Sequence, residues 1–236
     1  KYQYAFVADT FHAAQWIYEN GGSLLNDDHT AAVFNSPEAV AAIETYAGLL
    51  KDGSAYYWSA DEGWEVTSGL KDDRLAMFSD GAYYMGIIKD AAPEMAGKWR
   101  VAPHPSGKGP GSYMGGTGLV IPAKSENKEA AWRFIEYAMT LDNQIGVFEH
   151  AGAAPALVAA LESEAVNRPD PYFGNQQTLS IFLKAMETAR PFPYVRQWND
   201  IDEIFTVAMQ EIALGEKSVP EALDAAAAQV DELLQE

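Results

Sequence analysis

Cysteine is absent from these 236 residues, which removes disulfides, thiolate metal sites and cysteine nucleophiles together. The compartment stays open on that ground. Basic side chains are scarce: 16 Lys and Arg stand against 34 Asp and Glu, a formal net charge of −18. Such a surface repels phosphate backbones and anionic lipid, so no nucleic-acid partner is expected. No apolar run approaches the roughly 20 residues that span a bilayer. The chain opens at Lys1 without an initiator Met, a basic leader or a small-residue cleavage site, and reads as a processed or cut product. Catalytic signatures are missing too. His12, His29, His104 and His150 lack metal-ligand spacing, and there is no H-E-x-x-H, G-x-S-x-G or Walker sequence. Gly107, Gly109 and Gly111 alternate with no Lys-Ser/Thr behind them, so they do not form a phosphate cradle. No cofactor and no metal are expected.

What is present suits a packed domain. Hydrophobic residues make 48% of the chain and aromatics 12%, enough for one large core or two small ones. Residues 2–8 predict a strand, followed by a helix with Thr10 as its cap and Phe11, Ala14 and Ile17 on one face, closed by Asn20, Gly21 and Gly22. Ser36, Pro37 and Glu38 start a second helix, with Val40, Ile43, Ala47 and Leu50 as its stripe, and Gly53 ends it. Leu75–Phe78 predicts a strand, a turn at Ser79–Gly81, then a strand or helix start from Ala82. Trp99–Pro103 predicts another short strand. In the last third, Asn175 and Asn199 are expected caps, Gly215 a helix stop, and Ser218 with Glu221 a capping box.

The most informative run is SYMGGTGLVIPAKSENKEAAWRFIEYAM, residues 112–139. Gly115 and Gly116 allow close backbone approach. TGLVI predicts a strand buried on both faces, and Ser125 is the expected cap of a helix whose Ala131, Phe134, Ile135 and Ala138 share a face.

The glycine pair, strand and S-x-N-K-E-A-A-W-x-F-I together resemble family 1 extracellular solute-binding proteins, the sugar-capturing subunits of ABC importers, and the likeness runs along the whole chain. It implies an α/β fold of the type II periplasmic-binding-protein kind, with an incomplete two-lobe architecture. Roughly the N-terminal third of such a protein has no counterpart here. Residues 1–102 and 157–236 would belong to the C-terminal lobe, and residues 103–156 would be a return segment of the N-terminal lobe. The family usually carries F-x-x-G-x-x-A-M where this chain has Leu70, Asp73, Ala76 and Met77, so the glycine is replaced. The resemblance further implies a periplasmic or cell-surface lipoprotein setting. Its partners would be a carbohydrate and the importer's membrane subunits. With its packing partner absent, the 117–139 segment would expose apolar surface, inviting the missing portion or self-association.

Sugars stack their C–H faces on aromatic rings and give their hydroxyls to carboxylates, amides and Arg. Asp9, Phe11 and His12 sit where a strand runs into a helix, the place where α/β folds gather ligands. Asp80 and Tyr83 flank Gly81 at a turn where the family presents a stacking ring. Arg196 and Trp198, in P-x-P-x-V-R-Q-W, resemble its late cleft-lining loop. Gly115, Gly116 and Trp58 complete the expected set, with Trp64 and the Tyr172, Phe173, Gly174, Gln176 segment behind them. Each has a plainer alternative as cap, core or turn. The predicted function is delivery of a di- or oligosaccharide by closure of two lobes. The alternative is a glycoside-processing enzyme with paired acids among Asp9, Asp61 and Asp80; adjacent acids such as Asp61-Glu62 read more simply as solvated loop.

Overall fold

The computed structural model describes residues 2–58, 66–105, 107–108 and 112–235. Trp64, Asp61, Glu62, Gly109 and Gly111 lie outside the described residues. The chain divides into two compact units: residues 1–80, 103–114 and 185–236 form the first, residues 81–102 and 115–184 the second.

The first unit is built on a parallel sheet in which β1 (Tyr2–Val7) lies between β2 (Ala55–Trp58) and β3 (Leu75–Met77). Its register pairs Val7 with Trp58 and Tyr4 with Met77. Parallel strands need crossovers, and α1 (Thr10–Glu19), α2 (Pro37–Lys51) and α3 (Val66–Lys71) supply them. Because the strands run the same way, Asp9, Trp58 and Asp80 all lie at their carboxyl ends. Phe6, Ile17, Phe34, Ile43 and Tyr46 form the core with Phe205, Met209, Leu223 and Val230, the last four from α10 (Trp198–Leu214) and α11 (Val219–Leu234). Tyr46 fixes the sheet to α2: its hydroxyl accepts from Val7 N at 2.8 Å and donates to Val7 O at 3.1 Å. A short parallel ladder joins β4 (Tyr113–Met114) to β5 (Arg190–Pro191).

Several helix ends follow the sequence. Ser36 accepts from Ala39 N with Pro37 at the first position, Gly215 ends α10 in the left-handed region, and Ser218 with Glu221 forms the full capping box. Others are corrected. Asp9 caps α1, accepting from His12 N at 2.8 Å, while Thr10 is buried and its hydroxyl donates to Asp202 O at 3.2 Å. A carboxylate is a stronger N–H acceptor than a hydroxyl, and it frees Thr10 for the core. Asn199 lies inside α10, which begins at Trp198. Asn175 takes a turn conformation, φ 62°, ahead of α9 (Thr178–Met186).

The second unit is mainly helical. Residues from Ala82 resolve as helix, α4 (Tyr84–Ala91). It approaches the end of α6 (Leu141–Ala151) so closely that a Cβ on Gly86 would stand 2.5 Å from Ala151 O. No strand forms at Trp99–Pro103, because the Gln176 side-chain amide takes both backbone bonds of Val101 at 2.8 and 2.9 Å, as a neighbouring strand would. Short helices α7 (Val158–Leu161) and α8 (Glu164–Asn167) follow α6. The TGLVI strand is absent as well: residues 115–122 carry no strand, and Val120 is 84% exposed. A strand apolar on both faces needs neighbours on each edge, and among the described residues none pairs with it. The helix after it, α5 (Lys128–Ala138), starts behind Asn127; Ser125 only accepts from Asn127 N at 3.2 Å. Neither α5 nor α6 buries any residue fully. Trp132, Phe134 and Tyr137 stand 54%, 62% and 65% exposed.

Candidate functional site

The carboxyl ends of the strands in the first unit carry two joined features, a set of rings and a set of acids. Phe192 is buried, and its ring touches Phe11 at 5.1 Å, Tyr113 at 4.6 Å and Trp198 at 5.2 Å between centroids. Phe11 and Tyr113 also meet at 6.0 Å. Phe11, at the start of α1, is 39% exposed, and Tyr113 and Trp198 are half-buried. The buried ring thus holds three part-exposed rings in place, a platform with apolar faces of the kind that stacks on a sugar.

Tyr113 links the rings to the acids. Burial pushes its hydroxyl up to about 12, and the charges of Asp80 and Asp9 add to the effect. Asp80 also acts on His12 and Tyr4, so one neighbourhood contains Asp9, His12, Asp80, Tyr4 and Tyr113. Both Asp9 oxygens face His12 Nδ1, at 2.8 and 2.9 Å. Burial opposes ionisation of Asp9, yet the His12 hydrogen bond and charge, with the backbone N–H groups of His12 and Phe11, outweigh it and hold its pKa below the usual 3.8. Its carboxylate is therefore committed to helix α1. Ser79 donates to Gln15 Oε1 at 2.6 Å, fastening the turn after β3 to α1.

The first unit thus brings Asp9, Phe11, His12, Asp80 and Trp198 together. Trp58 ends β2 half-buried, its indole N–H without an acceptor among the described residues, and Arg196 is exposed just ahead of α10. Tyr83, Gly115 and Gly116 belong to the second unit. Tyr83 is 51% exposed, and a Cβ on Gly81 would lie 2.8 Å from its ring, so the glycine makes room for it. At Gly116 an added Cβ would meet nothing within 4 Å, so no close approach demands glycine there. Tyr172 and Phe173 are buried, with the Tyr172 hydroxyl donating to Ala92 O at 2.6 Å. Two members of the platform, Tyr113 and Phe192, escaped sequence reading. A tyrosine beside a Pro/Gly loop and a phenylalanine between two prolines gave no periodic signal; only the β4–β5 pairing brings them to Phe11.

The second unit has its own concavity of about 160 Å³, lined by Met85, Lys89, Glu149, Arg168, Asp170 and Thr178 among others. Lys89 pairs with Asp170, and Arg168 with Glu149 at 3.0 Å, so both cations already face carboxylates. Among the described residues, no three His, Asp or Glu side chains cluster as metal ligands would. No described helix is long and apolar enough to cross a membrane.

A parallel sheet with rings and acids at its carboxyl edge is the architecture of a ligand-binding α/β protein rather than of a structural module. Residues 2–172 match the family described as bacterial extracellular solute-binding protein, and the chain belongs to that family. Its family is one of binding proteins. It is 27% identical over 227 residues to a Brucella abortus (strain 2308) protein named as a binding protein, covering 95% of this chain and 52% of that one. It is 28% identical over 214 residues to the lactose-binding protein of Rhizobium radiobacter, covering 85% of this chain and 47% of that one. The crystal structure of an ABC transporter solute-binding protein from Thermotoga lettingae TMO, bound with α-D-tagatose, superposes with a TM-score of 0.83 at 29% identity. That match covers 99% of this chain and 59% of the other. The expected fold class, part of a type II periplasmic-binding-protein architecture, is therefore the one found. The chain spans about half the length of the curated relatives it matches.

Proposed function

We propose that this chain contributes part of the ligand-enclosing wall of a carbohydrate-capturing subunit of an ABC importer, acting on a di- or oligosaccharide. The observation that carries the reading is the four-ring platform of Phe11, Tyr113, Phe192 and Trp198 beside Asp80 at the carboxyl edge of a parallel sheet. Lactose in the name of one relative and tagatose in one superposing structure support a sugar as its occupant. Stacking on the rings and hydroxyl bonds to Asp80, with Arg196 and Trp58, are the contacts this proposal assigns to the first unit; Tyr83, Gly115 and Gly116 are the contact residues it assigns to the second. Residues 1–102 and 157–236 would belong to one lobe and residues 103–156 to the other. Closure on the sugar would follow from tighter binding to the closed form, which the importer's membrane subunits would then recognise. The setting would be the periplasm or the outer cell surface, and no bond in the sugar would be broken.

The exposed rings of α5 extend the proposal. Trp132, Phe134 and Tyr137 would be covered by the portion that longer relatives possess, or in its absence by a second copy of the chain. Calorimetry against lactose, D-tagatose and a maltodextrin series tests the sugar reading. Saturable heat with one of these, abolished by Trp198→Ala, supports it. Silence across the panel from both this chain and a full-length protein containing it overturns it.

A further inference from the structure

A two-strand ladder is marginal on its own, so the place of β4 and β5 along α1 depends on what fastens them to it. At the start of α1, Tyr113 and Phe192 meet Phe11 by their rings. Hydrogen bonds hold the other end. Arg190 of β5 donates to Gly22 O at 3.1 Å and lies 5.6 Å from the centre of the Tyr18 ring. On the β4 side, Lys108 N donates to Glu19 O at 2.7 Å, and His104 Nδ1 bonds Glu19 Oε1. The His104 and Glu19 side chains are only 10% and 6% exposed, so water is poorly placed to replace that bond. His104 Nε2 is buried without an acceptor, which assigns the ring's hydrogen to Nδ1, with Glu19 accepting it. Among the described residues, Glu19 is thus the one polar partner of this imidazole. The stretch also lies close to the helix end, since a Cβ on Gly107 would stand 3.0 Å from Glu19 O.

We propose that Glu19 is a positioning residue, which anchors the 103–108 stretch to the carboxyl end of α1 through His104 and so holds Tyr113 in its place beside Phe11 and Phe192. The reach of the chain makes the anchor matter. From the level of Phe11 to that of Glu19, α1 rises about 12 Å at 1.5 Å per residue, whereas the chain from Lys108 to Tyr113 spans at most about 17 Å when fully extended. So short a stretch passes the position of its fixed end on to the other. β4 and β5 hold each other, but a ladder of two residues per strand slides as one body unless something outside it sets its place. An apolar contact at Glu19 would resist that sliding weakly; a buried, directional hydrogen bond selects which residue of the stretch lies at the helix end. That Tyr113 serves a sugar rests on the carbohydrate reading; its placement does not.

NMR of the tyrosine rings in the intact chain tests the anchor without any ligand. Tyr113 should show ring-current shifts from Phe11 and Phe192. These should be lost in Glu19→Met and in His104→Phe, which keep the bulk but not the bond. Glu19→Gln and His104→Asn, which still offer an acceptor and a donor, should keep them. Tyr113 signals unmoved in the two apolar variants, or moved as far in the two conservative ones, overturn the anchor. A run of glycines inserted after Gly109 slackens the stretch without touching Glu19, His104 or the core, and should release Tyr113 in the same way; signals unmoved there overturn the anchor even if the apolar variants fail to fold. Where a sugar of the panel binds, Glu19→Met should raise its Kd by about tenfold, the worth of one aromatic contact, and Glu19→Gln should recover most of the affinity; an unchanged Kd in Glu19→Met overturns the positioning role. Tyr113 released in the variants, with no sugar bound by the unsubstituted chain or by a full-length protein containing it, leaves the anchor standing and removes the carbohydrate reading instead.

Discussion

The buried ring of Phe192 lies 4.6 Å from that of Tyr113, centroid to centroid, across the ladder that pairs Tyr113 with Arg190 and Met114 with Pro191. Two segments more than seventy positions apart thereby make one floor under Phe11 and Trp198. Phe192→Ala should cost about 3 kcal/mol of stability, the usual range for emptying an aromatic core site, and weaken sugar binding by loosening all three dependent rings. Phe192→Leu should keep most of the stability and still weaken binding. Chemical denaturation alongside calorimetry separates the two effects; binding by both variants as tight as that of the unsubstituted chain would show that ring order does not matter.

Tyr46→Phe removes one oxygen and orphans two buried groups of Val7, its N–H at 2.8 Å and its C=O at 3.1 Å. A loss of about 1–3 kcal/mol is expected from urea melts, the desolvation cost of buried polar groups left unmade.

Gly86→Ala should damage the second unit, because the new Cβ would press to 2.5 Å from the rigid backbone oxygen of Ala151. Overpacking of this kind costs about 1–3 kcal/mol. Hydrogen exchange should rise along α4 and α6, while β1 and α2 of the first unit keep their protection.

Asp73 occupies the left-handed region at φ 56°, at the position where the resemblance led us to expect glycine. A β-carbon is penalised there, and aspartate is among the few residues besides glycine that adopt this conformation, because its short polar side chain can bond locally.

The Asp9–His12 pair has a defined pH window. The Asp9 pKa is lowered, so its contribution is present above 3.8 and fades as pH falls through the lowered value. The His12 pKa is raised, so its contribution is complete below 6.5 and fades as pH rises through the raised value. The stability difference between the chain and its His12→Gln variant should therefore be largest between these limits and shrink on both sides in thermal melts.

The sequence by itself determined the first strand, the helix from Pro37, the Gly215 stop and the Ser218–Glu221 box, because each is written in neighbouring residues: an apolar run, a proline after a capping serine, a glycine that tolerates positive φ. It also pointed to the β1–α1 turn as a site, since ligands gather where parallel strands end. Tertiary structure alone decided the rest. The ring platform needs Phe11, Tyr113, Phe192 and Trp198 from three distant segments. Val101 takes a glutamine side chain in place of a strand, and TGLVI, as strand-like as any run here, finds no partner strand among the described residues. A β-strand is completed only by its neighbours' hydrogen bonds, whereas a helix closes its own; local residues could therefore announce the helices but not which candidate strands would find partners.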